Sequence, residues 1–368
     1  MPKEKIAIIS LLKPVDDIRS YHKLAKSIAK SCPLPIHLIG YPSKAQHSSS
    51  DTIIFHPSKN YSRLSLPRFI QPWVVFKKLL KLRPKLVIIN SPELLPVTIV
   101  CQIIFGTKTV YDIQENYYRN LWHQQIYPPV VKHLFAWGIR LIETVSAPFI
   151  SHFILAEKCY ANELPFLRNR YTVLENKALK PDTTPIIREG KTKETRLLFS
   201  GTISENTGVK TAIELVKILN QPHLHLEVIG HCSNRTLYEE LLQIGHQWLS
   251  LNISLTPLPY REIQAAISRA DVGVVSYRTN PSNVHCMPTK VYEYAANGLA
   301  MLYETGSYWS PFIQAEGKGL ALDFNKPERE KTLAFLTEVK QQPATPSAQA
   351  LWVFEESKLM NVIKQLLN

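Results

Sequence analysis

A lysine and a glutamate three residues apart, within the segment PTKVYEYAANGLAMLY (288–303), form the pattern with the clearest chemistry in this chain. Pro288-Thr289 opens a predicted helix, so Lys290 and Glu293 lie on one face of its first turns. A helix N-terminus favours phosphate, and a nearby lysine strengthens that preference. A carboxylate one turn later can accept hydrogen bonds from sugar hydroxyls. The competing interpretation is a surface Lys–Glu pair on an ordinary helix.

The elements around this pair predict where it lies. The preceding segment ADVGVVSY (270–277) is typical of a buried parallel strand, and Asn297-Gly298 predicts the end of the helix before a short apolar strand. The order is therefore strand, loop, helix, strand. In an open α/β sheet, ligands bind at the carboxyl ends of the strands. We therefore expect Lys290 and Glu293 at a ligand-binding edge.

The rest of the chain alternates strand and helix patterns in two series. The first series runs over residues 1–176 and the second begins at the strand RLLFSG (196–201), while residues 177–195 are rich in Pro, Lys and Thr and form the best linker candidate. Repeated strand–helix units imply parallel sheets covered by helices on both faces. The predicted fold class is α/β, with two Rossmann-like doubly wound domains facing a cleft.

Composition limits the class of protein. The 368 residues, 45% hydrophobic and 20% charged, suffice for two cores. The five cysteines are scattered without metal-type spacing, which indicates a reducing compartment and no metal site. The N-terminal apolar run is too short for a signal peptide, and the apolar stretch 94–105 is too short to span a bilayer. We expect a cytoplasmic protein; peripheral attachment to the inner face of the membrane stays open.

Positive charge is concentrated in the first half. Residues 1–180 hold 25 Lys or Arg against 11 Asp or Glu, whereas residues 181–368 hold 18 against 19, within a total net charge of +13. Such asymmetry predicts an anionic partner for the first domain, either nucleic acid or a membrane surface. A merely soluble basic surface is the alternative. No zinc, helix-turn-helix or RNP-like motif favours nucleic acid.

One basic, aromatic segment in this half suggests where a membrane would bind. The predicted helix 67–82 and its flanks combine aromatic and basic side chains, namely Arg63, Arg68, Trp73, Phe76, Lys77, Lys78, Lys81 and Arg83. Such a helix can lie on an anionic lipid surface with its aromatic residues in the interface. It can equally be an ordinary amphipathic helix packed on the sheet with a solvated lysine face.

Several segments together resemble glycosyltransferases of the GT-B fold, in the large retaining group usually called family 4. DDIRSYHK (16–23), SPELL (91–95) and YDIQENY (111–117) resemble segments of that family's first domain, in this order. LLFSGTISENTGV (197–209) resembles the opening strand and loop of its nucleotide-binding domain. NVHCMPTKVYEYAANGLAM (283–301) resembles the N-x4-P-x-K-x2-E-Y pattern of one subgroup. The resemblance covers nearly the whole chain.

The resemblance implies transfer of a sugar from a UDP- or GDP-linked donor to an acceptor hydroxyl with retention, and no cofactor. The first domain, 1–176, would bind a lipid-linked or growing surface glycan. The second, 196–345, would bind the nucleotide sugar, and the terminal segment 346–368 would cross back to the first domain. An anionic membrane surface is the further expected partner, and nucleic acid is not expected.

Site residues carry over by position. Glu293 matches the glutamate that holds the ribose hydroxyls, and Lys290 would face the diphosphate. Glu115 matches the glutamate that closes the Y-D-V-H-E segment, and Gln114 stands where that segment has a histidine expected near the sugar. The remaining donor-binding candidates follow the strand ends and the helix start, namely Gly201, Thr202, Pro257, Leu258, His285, Pro288 and Thr289.

Two departures from the family pattern keep an alternative open. His285 stands eight positions before Glu293, where many members have a first glutamate, and Gln114 cannot carry a proton as histidine can. A catalytically weak or inactive partner subunit of the same fold would explain both. A nicotinamide oxidoreductase is disfavoured, because no G-x-G-x-x-G follows a strand. The chain also lacks an Asp-x-Asp motif, so we expect metal-independent chemistry in which lysine and a helix N-terminus meet the leaving diphosphate.

Overall fold

The computed structural model describes residues 4–43, 49–50, 52–59, 67–123, 128–181 and 194–368. The chain divides into two compact units. The first contains Met1–Asn176 together with Trp352–Asn368, and the second contains Lys177–Leu351. Most of the predicted linker 177–195 and the predicted lipid-contacting Arg63 lie outside the described residues.

A seven-stranded parallel sheet forms the centre of the first unit, in the order β3-β2-β1-β4-β5-β6-β7. The chain starts in the middle, winds outward to β3, and then continues on the other side of β1. Such a doubly wound order has its switch point between β1 and β4. The strands are β1 (Ile6–Pro14), β2 (Ile36–Tyr41), β3 (Ile53–Pro57), β4 (Leu86–Ile89), β5 (Lys108–Ile113), β6 (His152–Leu155) and β7 (Tyr171–Val173).

Helices connect these strands. A π-helical segment, Ile18–Ala25, runs directly into the first α-helix, and Asp17 caps its start by accepting from the N–H groups of Arg19 and Ser20. Helix α13 belongs to this unit and contacts α1. The helices are α1 (Lys26–Ser31), α2 (Pro67–Leu82), α3 (Leu95–Phe105), α4 (Tyr117–His123), α5 (Pro129–Ser146), α6 (Tyr160–Glu163) and α13 (Val353–Leu367).

The second unit repeats this plan with a six-stranded parallel sheet in the order β10-β9-β8-β11-β12-β13. Its switch point lies between β8 and β11. Leu197 and Phe199 of β8 enter one apolar cluster and Leu198 enters another, so both faces of the sheet are covered. The strands are β8 (Thr195–Thr202), β9 (Leu224–His231), β10 (Leu249–Ser254), β11 (Val272–Val275), β12 (Ala300–Glu304) and β13 (Gly319–Leu322).

The helices of the second unit alternate with its strands. They are α7 (Val209–Leu219), α8 (Arg235–Leu242), α9 (Tyr260–Arg269), α10 (Thr289–Ala296), α11 (Ser310–Glu316) and α12 (Arg329–Gln341). The predicted fold class is confirmed: two α/β units are each built on a doubly wound parallel sheet. The sequence patterns did not predict the short helices α4 and α6.

The described residues contain neither a membrane-spanning helix nor a cluster of metal-ligating side chains. Among them, no helix is long and apolar enough to cross a bilayer. The same residues contain no cluster of three or more His, Cys, Asp or Glu side chains arranged to hold a metal ion.

Candidate functional site

Helix α10 begins and ends where the sequence predicts. Pro288 is its N-cap, and no side chain caps its first turn. At the other end Gly298 has φ +66°. There the Leu299 N–H donates to the Tyr294 carbonyl at 3.0 Å and the Gly298 N–H donates to the Ala295 carbonyl at 3.1 Å. This pair of bonds is a Schellman motif, which stops the helix at a left-handed glycine.

The helix lies beside the switch point of its sheet. It follows β11, which pairs on one side with β8 and on the other with β12. Gly201-Thr202 ends β8, and Ser276-Tyr277 follows the carboxyl end of β11. In doubly wound folds this crevice binds ligands. The topology therefore brings the predicted glycine loop and the start of α10 to one edge of the sheet.

Lys290 is a buried cation at this edge. Its relative exposure is 3%, and its Nζ has no hydrogen-bond partner among the described residues. The ammonium lies 3.9 Å from the ring centre of Phe199 and 5.1 Å from that of Tyr277. Cation–π contacts return about 0.5–2 kcal/mol each, but they leave the three N–H donors of an ammonium unpaired. Within the described part of the chain, no acceptor lies within hydrogen-bonding distance of this lysine.

Burial also changes the protonation of this lysine. Desolvation lowers the pKa of Lys290 from 10.5 to about 7, and the negative charge of Glu293 opposes that change without cancelling it. A lysine with this pKa changes between its protonated and neutral forms near neutral pH. An anion placed against Nζ would favour the charged form and raise the pKa again. Lys290 and Glu293 are therefore electrostatically coupled, and burial affects the pKa of Lys290 more than the charge of Glu293 does.

Two tyrosines belong to this edge of the sheet, Tyr294 on α10 and Tyr277 after β11. The Tyr294 hydroxyl lies 3.0 Å from Ser200 Oγ and accepts from the Ser200 N–H at 3.1 Å. Burial, followed by the charge of Glu293, raises the pKa of Tyr277, so its hydroxyl stays protonated. Glu293 itself is half-buried on α10. No sequence signal distinguished Phe199 and Tyr277 as site residues, because an aromatic residue at a strand end is usual in a core.

Gly201 has the backbone that a close ligand approach requires. Its φ is +95°, a backbone conformation that residues with a side chain rarely adopt, and a Cβ there would point into open space. The exposed Thr202 follows, and its carbonyl accepts from Thr207 Oγ1 at 2.9 Å. Gly208 then starts α7 with φ +82°, where a Cβ would lie 1.8 Å from the Ser276 carbonyl oxygen. The loop after β8 is thereby held against the segment after β11.

The other predicted donor-binding residues of this unit occupy loops. His285 and Thr289 are exposed, and the His285 ring meets the Tyr308 ring edge-on at 5.9 Å. Pro257 is exposed after β10, and Leu258 packs against the apolar cluster that contains Val291. Pro257 and Leu258 follow the outermost strand of the sheet, whereas Gly201 and Lys290 lie near its centre.

Gln114 and Glu115 belong to the first unit, just after β5. Both ends of the Gln114 amide are engaged: Oε1 accepts from Lys13, and Nε2 donates to Asp112 at 2.7 Å. Exposed Glu115 accepts from the Asn120 amide at 3.0 Å. Their proposed contacts with the donor sugar stay predictions.

A buried ion pair supports this edge of the first unit. Arg19 donates to both carboxylate oxygens of Asp112 at 2.7–3.1 Å and to the Leu174 carbonyl at 3.1 Å. Burial alone would lower the pKa of Arg19, but the charge and hydrogen bonds of Asp112 outweigh it and the pKa is raised. Lys23 donates to the Asn176 side chain at 2.5 Å. The D-x-R-x-x-x-K segment thus caps its own helix and fastens the chain near residues 174–176.

Comparison with known proteins identifies the fold and no family. No family model and no curated protein sequence matches this chain. Among solved structures, a sucrose-phosphate synthase from Thermosynechococcus elongatus superposes with TM-score 0.70 at 14% identity, over 99% of each chain. The catalytic domain of starch synthase IV from Arabidopsis thaliana, bound to ADP and acarbose, gives TM-score 0.65 at 10% identity, over 100% of this chain and 99% of that one.

The same fold occurs in a protein described by a different activity. A putative UDP-N-acetylglucosamine 2-epimerase from Listeria monocytogenes gives TM-score 0.57 at 12% identity, over 98% of this chain and 96% of that one. At such identities the likeness shows the fold alone. The chain has the two-unit α/β architecture of GT-B glycosyltransferases, and the reaction must be argued from the site.

Proposed function

We propose that this protein is a retaining glycosyltransferase that moves a sugar from a nucleotide-sugar donor to a hydroxyl of a lipid-linked or growing surface glycan. The second unit binds the donor, and the first unit binds the acceptor. The proposal is supported by the fold, by neighbours described as a sucrose-phosphate synthase and an ADP-bound starch synthase, and by the site around Lys290.

The observation that carries the proposal is the buried amine of Lys290 at the start of α10, which has no hydrogen-bond partner among the described residues. A buried lysine amine without a hydrogen-bond partner is costly, and an anionic ligand against Nζ would supply that partner and favour the charged form. Lys290 lies in the first turn of α10, and a helix N-terminus and a lysine both favour phosphate. A diphosphate leaving group gains charge as the glycosidic bond breaks. Lys290 would stabilise that charge most strongly in the transition state.

The neighbouring residues have matching roles. Glu293, one turn along α10, accepts hydrogen bonds from the ribose hydroxyls. The positive φ of Gly201 lets the backbone after β8 pass close to the donor. Pro257 and Leu258 line the base pocket through backbone groups, while His285, Pro288 and Thr289 border the donor from the loop before α10. Glu115 and Gln114 keep their proposed role toward the transferred sugar.

The runner-up is a catalytically weak or inactive partner subunit of the same fold. His285 in place of an acidic residue, and Gln114 engaged at both ends of its amide, favour it. The two proposals differ in one measurement. A transferase releases free sugar from its donor slowly in the absence of acceptor, whereas an inactive subunit binds the nucleotide without hydrolysing the donor.

The first experiment is a thermal-shift panel with UDP, GDP, ADP and their sugars. A ligand that binds only the folded state raises the melting temperature, and at a hundred times its Kd it adds about 2.7 kcal/mol. One nucleotide series should stabilise the protein well above the others. Donor hydrolysis is then measured with that series. No shift with any of these ligands would contradict the proposal.

Replacing Glu293 with glutamine should weaken binding of the selected nucleotide by about 1.5–3 kcal/mol, because charge-assisted hydrogen bonds to two hydroxyls become neutral ones. The loss should shrink for the 2′-deoxynucleotide, which lacks one of those hydroxyls. Isothermal titration calorimetry measures both affinities. Glu240→Gln, an exposed change on α8, is the matched control, and equal affinities in the two variants would argue against the assignment of Glu293.

Transfer should continue when divalent metal is removed. Lys290 and the N-terminus of α10 supply positive charge where a metal would otherwise meet the diphosphate. Sugar release assayed with EDTA should therefore stay within about twofold of the untreated rate. Loss of activity with EDTA and its rescue by magnesium or manganese would show that the leaving group is stabilised by an ion instead.

A further inference from the structure

The first unit exposes many large apolar side chains on three adjoining helices. Most of the large apolar side chains that the described residues expose lie on α2, α3 and α5, and α3 contacts both of the other helices. We call this surface the apolar face; it consists of Ile70, Trp73, Val74, Val100, Ile103, Ile104, Val130, Val131, Leu134, Phe135, Trp137, Leu141, Ile142 and Val145. Scattered exposed apolar residues are ordinary, but a contiguous set marks an interaction surface.

Helix α5 contributes a stripe along one side. Its members recur at intervals of three or four residues, and their exposed fractions are 80% for Val130, 69% for Leu134, 59% for Trp137, 63% for Leu141 and 60% for Val145. This spacing places them on one helical face. The opposite side is buried: Ala136, Glu143 and Ser146 are each 3% exposed or less. A stripe that faced the core would be protected from water, and this one is not.

The exposed charge on the three helices of the apolar face is of one sign. Residues 67–82, 95–105 and 129–146 contain six Lys or Arg, and their one acidic residue, Glu143, is buried. Two of the six are paired, Arg68 with Glu93 and Arg140 with Glu143. Lys77 and Lys81 are exposed on α2, and exposed Arg83 and Lys108 follow the ends of α2 and α3. The face thus presents large aliphatic and tryptophan side chains bordered by cations, with no exposed anion on the three helices.

We propose that the apolar face inserts into the interface of an anionic lipid bilayer, with the α5 stripe in the acyl boundary and Lys77 and Lys81 against the headgroups. An interfacial helix has this composition: apolar and tryptophan residues on one side and lysines at the margin. A second copy of the chain is the less favoured occupant, because a symmetric pair would bring the same uncompensated cations together. Anionic headgroups neutralise them at about 1 kcal/mol each.

This inference deepens the proposed function and rests on its membrane-linked acceptor. It also changes the contact expected from sequence. The basic helix 67–82 was expected to provide both the charge and the aromatic anchors, whereas α5 and α3 provide most of the exposed apolar area. On α2, Val75 and Leu79 are buried, and exposed Trp73 and Val74 join the face.

Vesicle flotation tests the proposal with the full chain. The vesicles contain phosphatidylcholine alone or with 30% phosphatidylglycerol. Wild type should float with the anionic vesicles, and Leu134→Asp/Leu141→Asp should bind them at least tenfold more weakly. Lys77→Glu/Lys81→Glu should lose the preference for anionic lipid. The matched control is Ile218→Asp/Leu242→Asp, which alters exposed apolar residues of the second unit and should float like wild type.

Two readouts make the result specific. Brominated lipid should quench tryptophan fluorescence in wild type, and less so in Trp137→Phe than in Trp248→Phe, which changes the second unit. Light scattering without lipid should give the same mass for wild type and the α5 double variant. Flotation of that variant equal to wild type, or no flotation of wild type, would overturn the proposal. A wild-type dimer that the variant dissociates would assign the face to a second copy instead.

Nucleotide thermal shifts separate this proposal from the proposed function. A folded α5 double variant keeps the wild-type shift, because the substituted residues belong to the first unit and the donor candidates Lys290 and Glu293 to the second. Vesicle binding without any nucleotide shift would support the lipid-binding surface and contradict the donor site. A nucleotide shift without vesicle binding would support the donor site and contradict the lipid-binding surface.

Discussion

Replacing Lys290 with methionine is expected to stabilise the ligand-free protein while it removes nucleotide binding. Methionine has similar length and no charge, so it fills the space beside Phe199 and Tyr277 without a buried unpaired ammonium. At about 1.4 kcal/mol per pKa unit, lowering the pKa from 10.5 to about 7 corresponds to roughly 5 kcal/mol. The cation–π contacts offset about 2 kcal/mol of this. We expect the free energy of unfolding to rise by about 3 kcal/mol near pH 7.

The same substitution should weaken binding of the selected nucleotide by about 1.5–3 kcal/mol, a ten- to hundredfold loss in affinity. A residue that serves only packing would not combine a more stable protein with a weaker ligand complex. Urea unfolding and calorimetric titration supply the two measurements. Lys217→Met, at an exposed lysine of α7 that pairs with Glu214, is the control and should change stability by less than about 1 kcal/mol.

The stability difference should depend on pH in one direction. Between pH 7 and 10.5 the unfolded chain holds the Lys290 proton and the folded chain has released it, so the stability of the wild type rises with pH. The advantage of Lys290→Met is therefore full below about pH 7 and declines toward pH 10.5. Unfolding at pH 6.5 and 9.5 measures this. An advantage that grows with pH, or a variant less stable than wild type with unchanged affinity, would mean that Lys290 is a satisfied structural lysine.

Changing Asp112 to asparagine should destabilise the first unit by about 3–5 kcal/mol. The substitution leaves Arg19 buried without its counter-charge, and a single broken partner costs more than the intact pair contributes. The Arg19 bond to the Leu174 carbonyl remains but cannot balance the charge. Gln114 also loses its carboxylate acceptor. Urea unfolding followed by circular dichroism measures the loss, which should appear as a transition at a lower urea concentration.

A double variant distinguishes the cost of the lone charge from the value of the pair. Arg19→Met/Asp112→Leu removes both charges and should recover most of the stability. Lys30→Ala breaks the exposed pair with Glu356 and should cost less than about 1 kcal/mol. If Asp112→Asn were as mild as Lys30→Ala, the Arg19–Asp112 contact would not fasten the chain at residues 174–176.

Two glycines show which backbone features depend on local sequence and which depend on residues distant in the chain. Gly298 was predicted to end α10, and it does so with φ +66°, because a left-handed residue after a helix needs no partner from elsewhere in the chain. Gly208 has an equally constrained φ, yet its closest neighbour is the Ser276 carbonyl, 68 residues away in sequence. That requirement exists only after β8 and β11 have paired.

The sequence by itself determined the alternating α/β pattern, the bounds of α10 and the one-face spacing of Lys290 and Glu293, because these depend on hydrophobic periodicity and local backbone preference. Only the tertiary structure decided that Lys290 is buried against Phe199 and Tyr277, that Gln114 is held by Lys13 and Asp112, and that the α5 stripe faces water. The burial of a side chain and its contacts depend on elements that lie far apart in the chain. An amphipathic helix has the same sequence pattern whether its apolar side meets a core or a membrane.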